Sequence, residues 1–226
     1  MIPLYCGFDQ REAAAYHVFC QSVIQTATSP VAFYPLALKL LPEYTETHTD
    51  GSNQFIYSRF LVPFLQDYRG WAIFADGDML CRADISELWA MRDQRYAVMV
   101  AKHNYSSKAQ RKYIGTSLET HNAVYPRKNW SSVMLWNCGH PANRILTPKY
   151  VEEHSGRVLH RFEHLHDEQI GDLPREWNWL ASEYEHNPDA KLVHYTLGVP
   201  GMEHYKDCDH SAEWHLTKQA VNHIEA

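Results

Sequence analysis

The chain has 226 residues, about one and a half times a ~150-residue domain, and 45% of them are hydrophobic, with fourteen Tyr, eight Phe and seven Trp. That is enough apolar material to bury a full core, and it excludes a chain disordered throughout. A net charge of −6 with scattered basic residues argues against a nucleic acid as main partner and favours a small or neutral ligand.

No run approaches the ~18 to 20 consecutive apolar residues of a membrane span. The opening Met1-Ile2-Pro3-Leu4-Tyr5-Cys6 lacks the basic and apolar regions of a signal peptide, so a soluble cytoplasmic protein is expected. Cys6, Cys20, Cys81, Cys138 and Cys208 are odd in number, far apart and without a Cys-x-x-Cys pair, which reads as reduced core thiols.

Ile2 to Cys6 reads as a short strand, followed by a loop and an Ala-rich helix through Thr26. Asp9 stands at an N-cap position and Glu12 completes a capping-box pattern. The helix is expected to stop near Ser29-Pro30, because the residue before proline resists helical geometry. Val31 to Leu36 gives a second strand, and Leu41 to Asn53 a polar loop. Phe55 to Leu65 is densely apolar around a single Arg59 and predicts a helix kinked or ended near Pro63. Trp71 to Ala75 is a continuous apolar run of strand length, expected at the centre of a parallel sheet.

Asp84 opens another capping-box helix, and Tyr96 to Ala101 forms a strand. Residues 103–129 are mostly polar or basic and read as a long crossover or lid. Val133 to Trp136 is a further strand, and Thr147-Pro148 opens a helix. Asp167 to Leu173 is expected to be helical, and Lys191 to Tyr195 a strand. Strands alternating with helices predict an α/β fold, a Rossmann-like, mostly parallel sheet flanked by helices in a single domain over 1–226, with ligands at the carboxyl ends of the strands.

Asp76-Gly77-Asp78 leaves the most buried of those strands. Two carboxylates on a tight turn suit a hard divalent cation that also takes diphosphate oxygens, although Asp-x-Asp is also a common turn. His194 ends a strand, where a lone histidine is usually a half-buried ring bonded to a carbonyl. Arg59, set in an apolar stretch, needs an anionic partner, either an internal carboxylate or a ligand phosphate. Asp9 can cap a helix, or bond a base or ribose.

Taken in order, Tyr5-Cys6-Gly7-Phe8-Asp9-Gln10-Arg11-Glu12, Tyr57-Ser58-Arg59-Phe60, Trp71 to Leu80, His166-Asp167-Glu168-Gln169 and His194-Tyr195-Thr196-Leu197-Gly198 resemble the retaining glycosyltransferases of the GT-A fold, in particular family 8 and its bacterial and phage relatives. The resemblance implies a nucleotide-sugar donor, usually a UDP-sugar, held by about residues 1–100, with 101–226 completing the metal and acceptor sites. It implies that Tyr5, Cys6, Gly7, Asp9 and Arg11 surround base and ribose, and that Arg59 offsets donor charge. Asp76, Gly77, Asp78 and His194 would hold ribose and a Mn²⁺ or Mg²⁺ ion, and Asn129, Ser131 and Gly198 would contact donor or acceptor. Asp167, Glu168 and Gln169 match a catalytic acid-Gln-acid motif, with either Glu168 or, one place on, Gln169 facing the sugar. The family's Lys-Pro-Trp after its His-x-x-Gly is replaced here by Val199-Pro200-Gly201, so the diphosphate lacks its usual lysine. The resemblance also implies a glycan or another hydroxyl compound as acceptor. A nucleotidyltransferase of related fold and a non-catalytic sugar-nucleotide or glycan-binding protein are the competing readings.

Overall fold

The computed structural model describes residues 1–223. In chain order the strands are β1 (Ile2–Gly7), β2 (Val31–Leu36), β3 (Trp71–Ala75), β4 (Met79–Cys81), β5 (Val98–Val100), β6 (Arg111–Lys112), β7 (Thr120–His121), β8 (Val133–Asn137), β9 (Ile170–Asp172), β10 (Trp179–Leu180) and β11 (Leu192–His194). The α-helices are α1 (Ala13–Thr26), α2 (Val62–Leu65), α3 (Ile85–Ala90), α4 (Pro148–Glu153), α5 (Gly156–His160) and α6 (Ser211–Val221). The main sheet runs β2-β1-β3-β8-β5-β9, β4 joins β11 and β10 in a small second sheet, and β6 and β7 form a hairpin.

The expected α/β sheet is present, parallel at β2/β1, β1/β3 and β5/β9. It is antiparallel on both sides of β8, which corrects the expectation that β3 has parallel neighbours throughout. Residues 101–132 leave β5 at its carboxyl end and return to β8 without a helix crossing the sheet. A chain that comes back along the same edge must pair antiparallel.

All five residues of β3 and all five of β8 are buried. Alternation along β3 sends Ala72 and Phe74 to one face, with Tyr5, Phe60 and Trp136, and Trp71, Ile73 and Ala75 to the other, with Phe19, Leu135 and Trp177. Both faces are covered, so this strand has no polar position until it ends.

Three local expectations change. The Asp9 carboxylate caps its turn by accepting from the Arg11 N–H at 2.9 Å, but the Glu12 carboxyl turns inward instead of closing a capping box, leaving its shielded Oε1 without a partner. α1 stops at Thr26, before the proline takes effect: the Thr26 hydroxyl donates to Ser22 O at 3.0 Å, and Ala27 is extended. Between Phe55 and Leu65 a 3₁₀ segment (Ser58–Leu61) passes into the short α2. Pro63 has no N–H to give, and left-handed Asp67 and Tyr68 terminate the run.

The stretch expected to be helical over Asp167 to Leu173 is a 3₁₀ turn followed by β9. Its backbone is captured by β5: Ala97 N donates to Gln169 O and Leu173 N to Val100 O, both at 2.9 Å. Gly171 permits the approach, since a Cβ there would stand 2.5 Å from the Tyr96 ring. Among the described residues no helix is long and apolar enough to cross a membrane.

Candidate active site

β1 and β3 end side by side at the carboxyl edge of the sheet. Gly77 sits against β1 so closely that a Cβ on it would lie 2.2 Å from Gly7 O, and a Cβ on Gly7 would lie 2.4 Å from the Phe55 ring. These two glycines let the Asp76-Gly77-Asp78 turn press onto the first strand, with a carboxylate on either side of the contact. The chain then continues as β4, which pairs antiparallel with β11 in the register Met79↔His194. Tyr195 N donates to Asp78 O at 3.0 Å. Strand pairing thus delivers a residue from near the end of the chain to the aspartate turn.

His194 Nε2 lies 3.5 Å from Asp78 Oδ1 and 3.7 Å from Asp76 Oδ2, and all three side chains are buried. The other ring nitrogen faces Asn178 Oδ1 at 3.2 Å. The Asn178 amide nitrogen donates to Asn129 O and to Ser132 Oγ, each at 2.9 Å, so the oxygen end is what meets the imidazole. Nδ1 therefore carries the proton, and Nε2 presents its lone pair to the aspartates.

Arg59 is buried and pairs with Asp76 at 2.7 Å between Nη1 and Oδ1. The same nitrogen donates to Ser131 O at 3.0 Å, and the guanidinium lies between the rings of Phe55 and Phe74, 5.3 and 5.2 Å from their centroids. The structure thus gives Arg59 an internal carboxylate as its anionic partner.

Burial pushes both aspartates upward in pKa. At Asp76 the Arg59 charge opposes this, whereas at Asp78 the neighbouring charges of Asp76 and Glu12 add to it. Burial, then Asp9, raises Glu12 to about 7. Burial lowers His194 well below the usual imidazole range, so its ring is neutral. It also lowers Lys112, against the pull of Asp78, Asp76 and Glu12. Crowded carboxylates beside a neutral imidazole are what a bound cation relieves. The Asp78 Oδ1 atom is shielded from solvent and has no hydrogen-bond partner.

The ligand atoms of Asp76, Asp78 and His194 lie within 4.8 Å of one another. Two carboxylates and an imidazole fit a divalent ion that accepts both oxygen and nitrogen. A second such group, His186, Asp209 and His210, lies outside this cleft, and its His186 is exposed.

The other sequence-predicted residues divide sharply. Asn129, in a left-handed conformation, and Ser131, whose hydroxyl is 2.6 Å from His160 Nδ1, line the cleft beside the triad. Tyr5 and Cys6 do not. Tyr5 stacks on Tyr34, and its hydroxyl takes a bond from Gln66 Nε2 at 2.6 Å; Cys6 is wholly enclosed in the core. Both belong to the strand rather than to the loop after it, so pairing and alternation fix them inside the fold. The Asp9 carboxylate is occupied by Arg11 at 2.6 Å and by Gln54 N at 3.0 Å. Arg11 borders a separate, shallower hollow with His48 and Gln54. Gly198 packs on the Tyr205 ring rather than on the cleft.

Asp167, Glu168 and Gln169 are not brought to the aspartates and His194. They precede β9, which runs parallel to β5, and none of them lines the metal cleft, although the Arg127 that pairs with Asp167 also donates to Arg161 O in the wall of the adjoining cavity. Asp167 pairs with Arg127 at the surface, Glu168 is exposed, and the Gln169 side chain accepts from the His166 N–H.

Sequence reasoning missed Lys112, Tyr113, His160 and Asn178. Lys112 and Tyr113 belong to the hairpin arm in 103–129, which folds over the cleft and is held there by Tyr113 N donating to Leu197 O at 2.7 Å. Nothing in a polar, basic stretch marks that closure. Asn178, a lone amide between two tryptophans, carried a usable signal.

No protein-family model matches the sequence. Over 220 residues it is 41% identical to Protein CDI of Arabidopsis thaliana, spanning 93% of this chain and 83% of that protein. The chain belongs to the Protein CDI family. Among solved structures, the apo bifunctional glycosyltransferase WbbM superposes with a TM-score of 0.65 at 12% identity over 98% of this chain, which spans only 51% of that larger chain. Galactosyltransferase LgtC, in complex with donor and acceptor sugar analogs, superposes at 0.55 and 12% identity, covering 99% of this chain and 98% of that one. Glycosyltransferase GlyE of Streptococcus pneumoniae TIGR4 gives 0.60 at 10% identity, covering 98% of this chain and 63% of that one. This member of the Protein CDI family therefore has the GT-A-like glycosyltransferase fold.

Proposed function

We propose that the protein is a metal-dependent glycosyltransferase of family 8 type. It takes a sugar from a nucleotide diphosphate donor, a UDP-sugar, and passes it with retention to a hydroxyl of a glycan or similar acceptor. The observation that carries this reading is the convergence of Asp76, Asp78 and His194 at the carboxyl edge of a glycosyltransferase-like sheet.

Those three side chains would hold the ion, Mn²⁺ in preference to Mg²⁺ because one donor is an imidazole. When bound, the ion neutralises the diphosphate as it leaves. Asn178 orients His194, Arg59 fixes Asp76, and Lys112, bordering the same cleft, stands in for the diphosphate lysine missing after Gly198. Asn129, Ser131 and His160 border the space beside the triad and offer hydrogen bonds to sugar hydroxyls. Asp167, Glu168 and Gln169 do not line that cleft and are given no role in this reading. All five cysteines are free, which fits a reducing compartment such as the cytoplasm.

The test is calorimetry with UDP, with and without Mn²⁺, followed by a panel of UDP-sugars assayed for released nucleotide. Mn²⁺-dependent UDP binding and release of UDP rather than pyrophosphate are expected. Binding that ignores Mn²⁺, or release of pyrophosphate, overturns the reading.

A further inference from the structure

We infer that the cavity adjoining the aspartate-histidine triad is built for a second negative group, a phosphate or carboxylate carried by the transferred sugar or by its acceptor, in addition to the donor diphosphate. The inference rests on the transferase reading for which molecule bears the anion; the anion site itself stands on the geometry alone.

The cavity measures about 380 Å³ and shares Lys112, Asn129 and His160 with the metal cleft. Lys112, Lys128, Arg157 and Arg161 line it against a single carboxylate, Asp50, which is already bonded to the Tyr57 hydroxyl. In a chain with 27 acidic and 21 basic residues, four cations around one space without matching acids are unexpected. Lys112 is balanced by Asp78, Asp76 and Glu12. The other three are not: among the described residues the ion pairs of this face join Arg59 to Asp76 and Arg127 to Asp167, and none includes Lys128, Arg157 or Arg161.

Each of these three cations is available to a ligand. Lys128 is buried, and its ammonium is held by neutral oxygens, Asn122 Oδ1 and Ala123 O at 2.9 Å. Burial lowers it to about 8; Glu183 acts against this from a distance but forms no ion pair with it, accepting instead from the Ser107 hydroxyl. Arg161 Nε is shielded from solvent and has no hydrogen-bond partner. Arg157, one turn earlier on α5, is exposed. A planar guanidinium with open donors beside a buried ammonium matches a phosphate or carboxylate. In the proposed reading the donor diphosphate is met by Lys112 and the ion held by the triad, with Arg59 engaged by Asp76, which leaves these three cations for another group.

Two calorimetric arms separate the possible carriers. In one, glucose 6-phosphate is titrated against glucose with neither metal nor nucleotide; in the other, UDP-glucuronate against UDP-glucose with Mn²⁺. The acid-bearing probe is expected to bind about tenfold or more tightly in at least one arm, as one charge-assisted pair would provide. Preference in the first arm places the anion on the acceptor, and in the second on the transferred sugar. The double variant Arg157→Gln, Arg161→Gln should lose the preference and keep UDP–Mn²⁺ binding. No charge preference in either arm, or a preference that survives both the double variant and Lys128→Gln, overturns the inference. Loss of the transferase reading would show separately, as absence of UDP–Mn²⁺ binding with the anion preference intact.

Discussion

Arg59 and Asp76 form an ion pair at 2.7 Å inside the protein, while Asp78, two residues on, faces the same cleft with no lysine or arginine at ion-pair distance among the described residues and with Lys112 acting on it from farther away. The asymmetry has an energetic meaning. The charge on Asp76 is matched; that on Asp78 is raised in energy by burial and by both neighbouring carboxylates.

Asp78→Asn removes that crowded charge and keeps the shape. The melting temperature is expected to stay level or rise, while Mn²⁺ affinity falls by about 100-fold or more and turnover disappears. Thermal melts with and without Mn²⁺ measure both effects. Retained turnover in excess chelator would remove the metal from the mechanism.

Asn178 sets which nitrogen of His194 points at the aspartates. Asn178→Ala should weaken Mn²⁺ binding by about 10- to 100-fold, the usual cost of losing a group that orients a metal-binding histidine. Asn178→Asp keeps the accepting oxygen and should recover much of it. Equal losses in the two variants would mean that the residue only fills space.

Gly77→Ala tests the contact between the turn and the first strand. The added methyl meets Gly7 O, a backbone atom that cannot rotate away, so the turn must shift. Destabilisation of about 1–3 kcal/mol is expected, together with lost donor binding, read by urea unfolding and calorimetry. Unchanged UDP binding would show that the turn does not position the site.

Glu168→Gln and Asp167→Asn distinguish motif matching from geometry. Neither residue lines the metal cleft, and wild-type turnover is expected from each. A loss of about 100-fold or more in kcat, with the fold intact, would contradict that placement.

Two buried histidines should make the protein less stable in acid, opposed by the raised carboxylates of Glu12 and Asp76, which take up protons at about 7 and about 6. Burial lowers His103 and His164 to about 4, with Arg175 adding to the effect at His103, while an unfolded histidine titrates near 6.5. Above about pH 6.5 both states hold neutral rings. Below it the unfolded chain binds protons that the folded one refuses until about pH 4. The stability these two rings contribute is complete above 6.5 and is lost as the pH falls toward 4, about 3 kcal/mol per ring. His164→Leu, outside the cleft, should flatten urea midpoints between pH 4 and 6.5. An unchanged slope would show that the ring does not stay neutral.

What the amino-acid sequence determined by itself was local and repetitive. Apolar runs of strand length marked β1, β2, β3, β8 and β11, most plainly β3, which is covered on both faces and carries no polar side chain, while β2 is a partly exposed edge strand. The first polar residues after such a run, Asp76 and Asp78, stood out for the same reason. Tertiary structure alone decided which loops share an edge. Strand direction carries no mark in the residues themselves, so the motif likeness of Asp167 to Gln169 could not show that they stay outside the lining of the metal cleft. The closure of Lys112 and Tyr113 over the site, and the pairing of β4 with β11 that brings His194 to Asp78, depend on contacts between distant segments. Such contacts are selected by the burial of the whole chain, and no window of sequence contains them.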